Sequence, residues 1–160
     1  MHRMFKGLPK KVNEIKESET LVEFVLNGDP KAQKRHRYRR TSNRIITYDP
    51  SSKDKAALAK QMALSMPSTP FKEPVCVMLT FYMPRPKKHF RTGKYSSELK
   101  PNAPTEHVSR PDIDNLVKFF MDAGNKILWK DDCFVSGVFA RKIYSRKPRT
   151  EVELWMPNRD

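Results

Sequence analysis

Residues 112–128, DIDNLVKFFMDAGNKIL, decide the fold of this 160-residue chain. Apolar side chains recur in this stretch at helical spacing, which predicts a helix with one buried face. That face consists of Leu116, Phe119, Phe120, Ala123 and Ile127. The stretch also holds three aspartates, although the chain as a whole carries a formal net charge of +14.

The segments around this helix predict a single α+β domain with a mixed β-sheet and two main helices. Strands are predicted for TLVEFVLNGDP (20–30, ending in a turn), PVCVMLTFYMP (74–84), CFVSGVFARKIYS (133–145) and TEVELWM (150–156). The last two flank the short connection RKPR, which predicts an antiparallel hairpin. The other helix is predicted in DPSSKDKAALAKQMALSM (49–66), with Ser51 or Ser52 as its cap. Its predicted inner side is Ala56, Ala59, Met62, Ala63 and Met66.

Two segments lie outside these elements. Residues 1–19 are charged and weakly periodic, and we expect a flexible tail there, which leaves 20–160 as the domain. Residues 85–111 are rich in basic, Pro and Ser residues and have no period, so they predict a long loop that is functional or disordered.

The charge balance of the chain favours a polyanionic partner, most often nucleic acid. An anionic membrane surface is the competing partner, but the sequence has no basic amphipathic helix with a broad apolar face. No apolar run is long enough to span a membrane, and the N-terminus lacks the apolar core of a signal peptide. The two cysteines, Cys76 and Cys133, are expected to be reduced thiols. We therefore expect a cytoplasmic protein with no membrane partner.

Asp112 and Asp114 are the first candidate site residues. In an extended segment their spacing places both carboxylates on one face, with Ile113 pointing to the core. Adjacent carboxylates repel unless a cation lies between them, and hard oxygen ligands suit Mg²⁺ or Mn²⁺. The alternative is that Asp114 only caps the helix and Asp112 is an ordinary surface acid.

Three further acids and a lysine extend this candidate site. Lys118 follows Asp114 by four residues and precedes Asp122 by four, a spacing that fits either an ion-pair ladder or a phosphate contact by Lys118. For Asp122 we prefer the ladder. Asp131 and Asp132 lie in a turn before a strand, where one of them could be a third carboxylate ligand; an ordinary polar turn is the alternative.

Basic segments supply candidate DNA contacts. Residues 31–40 and 85–94 mix positive charge with aromatic rings that could stack on unpaired bases, and 141–149 adds a third cluster. The aromatic candidates are His36, Tyr38, His89 and Phe90. The predicted DNA-binding residues are Lys34, Arg35, Arg37, Arg39, Arg40, Lys87, Lys88 and Arg91. A solvated loop that only keeps the chain soluble is the alternative.

The run RPDIDNLVKFFMDAGNKILWKDDCFV (110–135) resembles the signature of the RusA family of Holliday junction resolvases. A weaker similarity extends to GDPKAQKRHRYRR (28–40) and the TYDP that follows. The resemblance implies a small homodimeric endonuclease that depends on Mg²⁺, with Mn²⁺ able to substitute, and that cuts four-way DNA junctions by paired nicks. It implies no organic cofactor and a bacterial or phage origin.

The resemblance also implies roles for individual residues. Asp112, Asp114 and one of the later pair, by spacing Asp132 rather than Asp131, would be the metal-binding catalytic acids, and Lys118 would be the catalytic lysine. Two other functions stay open: a related nuclease for flaps or forks, and a non-catalytic basic DNA-binding protein. For the dimer contact, the candidates are apolar residues of the last two strands, Val135, Val138, Phe139, Ile143 and Trp155.

Overall fold

The computed structural model describes residues 20–66 and 69–157. In chain order, its elements are β1 (Thr20–Asn27), β2 (Arg37–Arg40), β3 (Ile45–Tyr48), α1 (Ser52–Ser65), β4 (Val75–Pro84), α2 (Ile113–Gly124), β5 (Val135–Ser145) and β6 (Arg149–Trp155). The four long strands form one mixed sheet in the order β1-β6-β4-β5, and β2 pairs with β3 in a separate ribbon. The predicted α+β domain with two main helices is confirmed. The expected tail at 1–19 lies outside the described residues.

The order of the strands corrects one prediction. β5 and β6 do not form a hairpin, because β4 lies between them, parallel to β5 and antiparallel to β6. Residues 146–148 therefore cross the end of β4 over about 10 Å, which is two strand spacings. The apolar run of β4 fits this central place, since such a strand can bury side chains on both faces of the sheet.

The main core lies between one face of the sheet and the two helices. β4 contributes Val77, Leu79 and Phe81, and α2 contributes Leu116 and Phe120. The predicted inner face of α2 is confirmed for four of its residues, Leu116, Phe119, Phe120 and Ala123. The fifth, Ile127, lies beyond the end of the helix and is half-buried against the same core.

The predicted inner side of α1 is only partly correct. Met62 is fully buried, and Leu58 and Met66 pack beside it, whereas Ala56 and Ala63 are exposed. A methyl group gains little from burial compared with a leucine, so the larger side chains set the orientation of the helix. Ser51 is the N-cap residue, but its hydroxyl caps no helix N–H.

The long segment at 85–111 is ordered by hydrogen bonds rather than by long elements. It contains two 3₁₀ turns, Lys87–His89 and Gly93–Tyr95, and its end pairs with the outer edge of β5 through a bridge between Glu106 and Ile143. No helix in the described part of the chain is long and apolar enough to cross a membrane.

Candidate active site

Asp112 and Asp114 lie at the start of α2, where the structure brings them together. Asp112 is the N-cap residue with extended backbone angles, and Asp114 lies in the first helical turn, so the expectation of an extended segment holds for Asp112 alone. The side chain of Asp112 caps no helix N–H. Both residues are exposed, and the positive end of the helix dipole favours their negative charge. The alternative that Asp114 is only a helix cap is therefore not supported.

Lys142 of β5 fixes the backbone that leads into Asp112. Its ammonium Nζ donates hydrogen bonds of 2.7 Å to the carbonyl oxygens of both Ser109 and Pro111. The hydroxyl of Ser109 lies 3.0 Å from that of Tyr144, which is also on β5. The start of α2 is thus attached to the carboxyl-terminal part of β5. The basic cluster 141–149 contains Lys142, but its positioning role has no signal in the sequence, because its partners are backbone carbonyls.

Two histidines support the same attachment. The rings of His89 and His107 each lie with their centroids 4.6 Å from the centroid of Tyr144. Burial lowers the pKa of both imidazoles; the charge of Arg85 adds to this effect at His89, and that of Lys142 adds to it at His107. Both rings are therefore mainly uncharged near neutral pH. His89 is buried, so the expectation that it stacks on DNA is wrong.

Lys118 is exposed on α2, one turn beyond Asp114. Its ammonium has no ion-pair or hydrogen-bond partner among the residues that the structure describes. The expected ladder from Asp114 through Lys118 to Asp122 does not form. Asp122 instead binds Lys55 of α1 at 2.7 Å. Within the described residues, the charge of Lys118 is therefore unpaired, one turn from Asp114.

The ion pair of Asp122 belongs to a structural cluster between the helices. Lys55 also binds Asp49, at 2.8 Å. Burial disfavours the charge of Lys55, but the hydrogen bonds that its ammonium donates to both carboxylates outweigh that effect and raise its pKa. The hydrogen bond from Lys55, assisted by the backbone N–H of Ser51, lowers the pKa of Asp49 to about 2. The role of this cluster is to join α1 and α2.

Asp131 and Asp132 lie at the opposite end of α2 from Asp112. They immediately precede β5, whose first residue pairs with Val75 at the start of β4, whereas Lys142, which holds the backbone before Asp112, pairs with Phe81. The helix between them has 12 residues and is about 18 Å long. Within the described residues, no three His, Cys, Asp or Glu side chains lie close enough together to hold a metal ion. One protomer therefore brings together two of the four expected ligands.

The two acids of this later pair are not equivalent. The carboxylate of Asp131 accepts a hydrogen bond of 3.1 Å from the backbone N–H of Cys133, and this bond lowers its pKa. Asp131 thus caps the short 3₁₀ turn Asp132–Phe134. This local role favours Asp132 as the acid that serves a site elsewhere.

The expected DNA-binding residues fall into two exposed groups. Lys34, Arg35 and the arginines of β2 lie on or beside the β2–β3 ribbon, and Lys87 and Lys88 lie on a 3₁₀ turn. Arg91 is already engaged: it binds Glu98 at 2.8 Å, and its guanidinium lies 4.3 Å from the ring centroid of Tyr95.

Comparison with known proteins adds an independent finding. The family model described as endodeoxyribonuclease RusA matches residues 27–155. The crossover junction endodeoxyribonuclease rusA of Lactococcus phage r1t is 26% identical over 136 residues, which cover 82% of this chain and 94% of the phage protein. The uncharacterized protein YqaN of Bacillus subtilis strain 168 is 31% identical over 133 residues, which cover 82% of this chain and 93% of YqaN.

Proposed function

Because the chain belongs to the RusA family of endodeoxyribonucleases, we propose that it resolves four-way DNA junctions by paired symmetric nicks. One observation carries this proposal: the carboxylates of Asp112 and Asp114 stand at the start of one helix, and the ammonium of Lys118, unpaired within the described residues, lies one turn beyond Asp114. A metal-binding acid pair beside a free cation is what hydrolysis of a phosphodiester requires.

The chemistry of the donors fits Mg²⁺, with Mn²⁺ as a substitute, because both ions prefer carboxylate oxygens. When bound, such an ion supplies positive charge at the scissile phosphate and lowers the pKa of water. Asp112 and Asp114 hold the ion, and Lys142 keeps the backbone of Asp112 in place through its two carbonyl contacts. Lys118 stabilises the negative charge that develops on the phosphate oxygens.

The third carboxylate, Asp132, comes in our proposal from a second copy of the chain. An ion cannot bind Asp112 and Asp132 of one protomer from opposite ends of a helix about 18 Å long, because carboxylate oxygens must lie within about 2.0–2.6 Å of it. A two-fold axis relates two equivalent phosphates of a junction and two equivalent sites of a homodimer. The same axis can carry Asp132 of one copy to Asp112 of the other.

β5 offers the edge for this dimer. Its carboxyl-terminal part is paired with residues 105–107, through His107 N–H to Lys142 O and Tyr144 N–H to Thr105 O. Residues 135–141 remain as the outer edge of the sheet, and an antiparallel pair of two such edges is centred on Val138. In that register, residue 132 of one copy falls opposite Tyr144 of the other, beside the segment that leads into Asp112. Trp155, an expected contact residue, is only 1% exposed and takes no part.

The basic surfaces hold the DNA. The exposed side chains around β2 and at Lys87 and Lys88 contact phosphates and release counterions, which gives affinity without reading base sequence. Recombination and repair of chromosomal or phage DNA take place where that DNA lies, so we assign the protein to the cytoplasm of a bacterium.

The decisive experiment incubates the protein with an end-labelled synthetic four-way junction in Mg²⁺, in Mn²⁺ and in EDTA. We expect paired, symmetric cuts with either ion and none in EDTA. Parallel incubations with forked, flapped and linear DNA test the alternative function of a related nuclease. Preferential cutting of flaps or forks would replace four-way junctions as the assigned substrate.

A pair of variants on one helix completes this experiment. Asp112→Asn should bind the junction and not cut it. The matched control, Asp122→Asn, removes a carboxylate that binds only Lys55, so it should keep its cutting rate while losing thermal stability. Equal loss of cutting in both variants would contradict the assignment of the site to the start of α2.

A further inference from the structure

The β2–β3 ribbon stands clear of the domain. All eight residues of its two strands are exposed, and a hydrogen bond of 2.9 Å from Thr41 N–H to Arg44 O closes its loop. Four residue pairs give it a length of about 13 Å. A two-stranded ribbon is marginally stable in water by itself, and this one buries neither face on the rest of the described chain. Such a ribbon needs another molecule to cover it.

The charge of the ribbon indicates which kind of molecule. No acid occurs between Asp29 and Asp49. The same segment holds seven basic side chains: Lys31, Lys34, Arg35, Arg37, Arg39, Arg40 and Arg44. The same ribbon of a second copy would be repelled, whereas the phosphates of DNA would be attracted.

One face of the ribbon adds apolar groups to this charge. Opposite residues of an antiparallel pair project to the same face, so Tyr38 and Thr47 share a face with Arg40 and Ile45. Tyr38 is 75% exposed and Ile45 is 68% exposed, and the two are diagonal neighbours within reach of one flat group. In an intact duplex the flat faces of the bases are stacked and inaccessible. They become accessible where strands exchange, at the branch point.

The base of the ribbon is attached to the candidate active site. Gln33 N–H donates a hydrogen bond of 2.9 Å to the carbonyl oxygen of Asn115, the residue that follows Asp114 on α2. Lys34 N–H donates one of 3.0 Å to the hydroxyl of Ser51, which is fully buried at the start of α1. The ribbon therefore has a fixed position relative to the carboxylates that we assign to the metal.

From these observations we propose that the β2–β3 ribbon is the branch-point reader of this protein. Tyr38 and Ile45 cover unstacked bases at the junction centre, while the arginines of the ribbon hold the flanking phosphates. The attachment at Asn115 then sets the distance from the branch point to the cut. This inference rests on the proposed function, because it names the part of the junction that the same site uses.

The test compares affinity for a four-way junction with affinity for linear duplex of the same arm sequence, in EDTA so that no cutting occurs. Tyr38→Ala should weaken junction binding about tenfold and leave duplex binding unchanged, since one base–aromatic stack is lost. Tyr38→Phe keeps the ring and should bind as the wild type does. Ile45→Ala should repeat the selective loss, while Leu64→Ala, at a still more exposed aliphatic position on α1, should change neither affinity.

A second readout follows the position of the cuts in Mg²⁺. Wild-type protein should cut at one fixed distance from the branch point, and Tyr38→Ala should spread the cuts over neighbouring phosphates. Both strands of the ribbon are exposed, so we expect these variants to keep the melting temperature of the wild type.

Four results would overturn the inference. Equal loss of junction and duplex binding in Tyr38→Ala would make the ribbon a groove contact, and unchanged junction binding would remove its role. Conversion of the protein to a monomer by Tyr38→Ala, measured by sedimentation, would make it a contact between two copies. A wild-type protein without preference for junctions would instead refute the proposed function itself, and the inference with it.

Discussion

Mixing two inactive variants should restore activity if each active site takes residues from two copies of the chain. The perturbation is an equal mixture of Asp112→Asn and Asp132→Asn, unfolded and refolded together. In one chain these carboxylates lie at opposite ends of a helix about 18 Å long, several times the span of one metal ion and its ligands. Each variant alone has two defective sites, and neither should cut. In a mixed dimer, both substitutions fall in one site and the other site is intact.

The size of the recovery follows from this arithmetic. Random pairing gives mixed dimers for about half of the molecules, and each of these carries one intact site of two. The mixture should therefore show about a quarter of the active sites of wild-type protein. The assay is single-turnover cutting of a labelled four-way junction with enzyme in excess. The main product should be a junction with a single nick, because resolution needs both sites.

A second mixture provides the control. Asp112 and Asp114 lie together at the start of α2, so a mixture of Asp112→Asn and Asp114→Asn should stay inactive in every pairing. If the mixture with Asp132→Asn is equally inactive while mass spectrometry shows mixed dimers, the shared site is refuted. The same mixture made with Asp131→Asn in place of Asp132→Asn tests the choice between the two acids.

Three further outcomes are expected. Lys118→Ala should keep the wild-type melting temperature and cut about a hundredfold more slowly, since loss of one transition-state stabiliser costs ~3 kcal/mol; loss of stability with a normal rate would assign Lys118 to the fold. The pKa of Asp49 is lowered from 3.8 to about 2, so its stabilising effect is present above 3.8 and is lost as pH falls toward 2. Melting temperatures of wild type and Asp49→Asn should therefore converge over that range, and a constant difference would contradict this role. Replacing the four arginines of the ribbon region, Arg35, Arg37, Arg39 and Arg40, by alanine should lower both the affinity for the junction and the dependence of that affinity on salt. Unchanged affinity would show that DNA binds to another surface.

The sequence by itself determined the helices, the long strands and the family. Leu116, Phe119 and Phe120 mark the inner face of α2 because helical spacing is a local property that the chain carries in any fold. The same period was only partly right for α1: Met62 is buried as predicted, but small alanines marked the inner face poorly and Leu58, which was not predicted, packs there. The β2–β3 ribbon was missed because each strand has only four residues and neither face is buried, so no alternation of buried and exposed positions marks it.

Only the tertiary structure decided the partners of these elements. β5 and β6 are joined by three residues, yet β4 lies between them, because pairing depends on which strand fills the centre of the sheet. Asp122 follows Lys118 by four residues, a spacing that fits an ion pair, but it binds Lys55 of another helix. Asp112 and Asp132 belong to one short sequence motif. In the structure they are held apart by a helix that rises about 1.5 Å per residue. Spacing along a chain fixes which residues are neighbours within an element, and packing between elements fixes which charges meet.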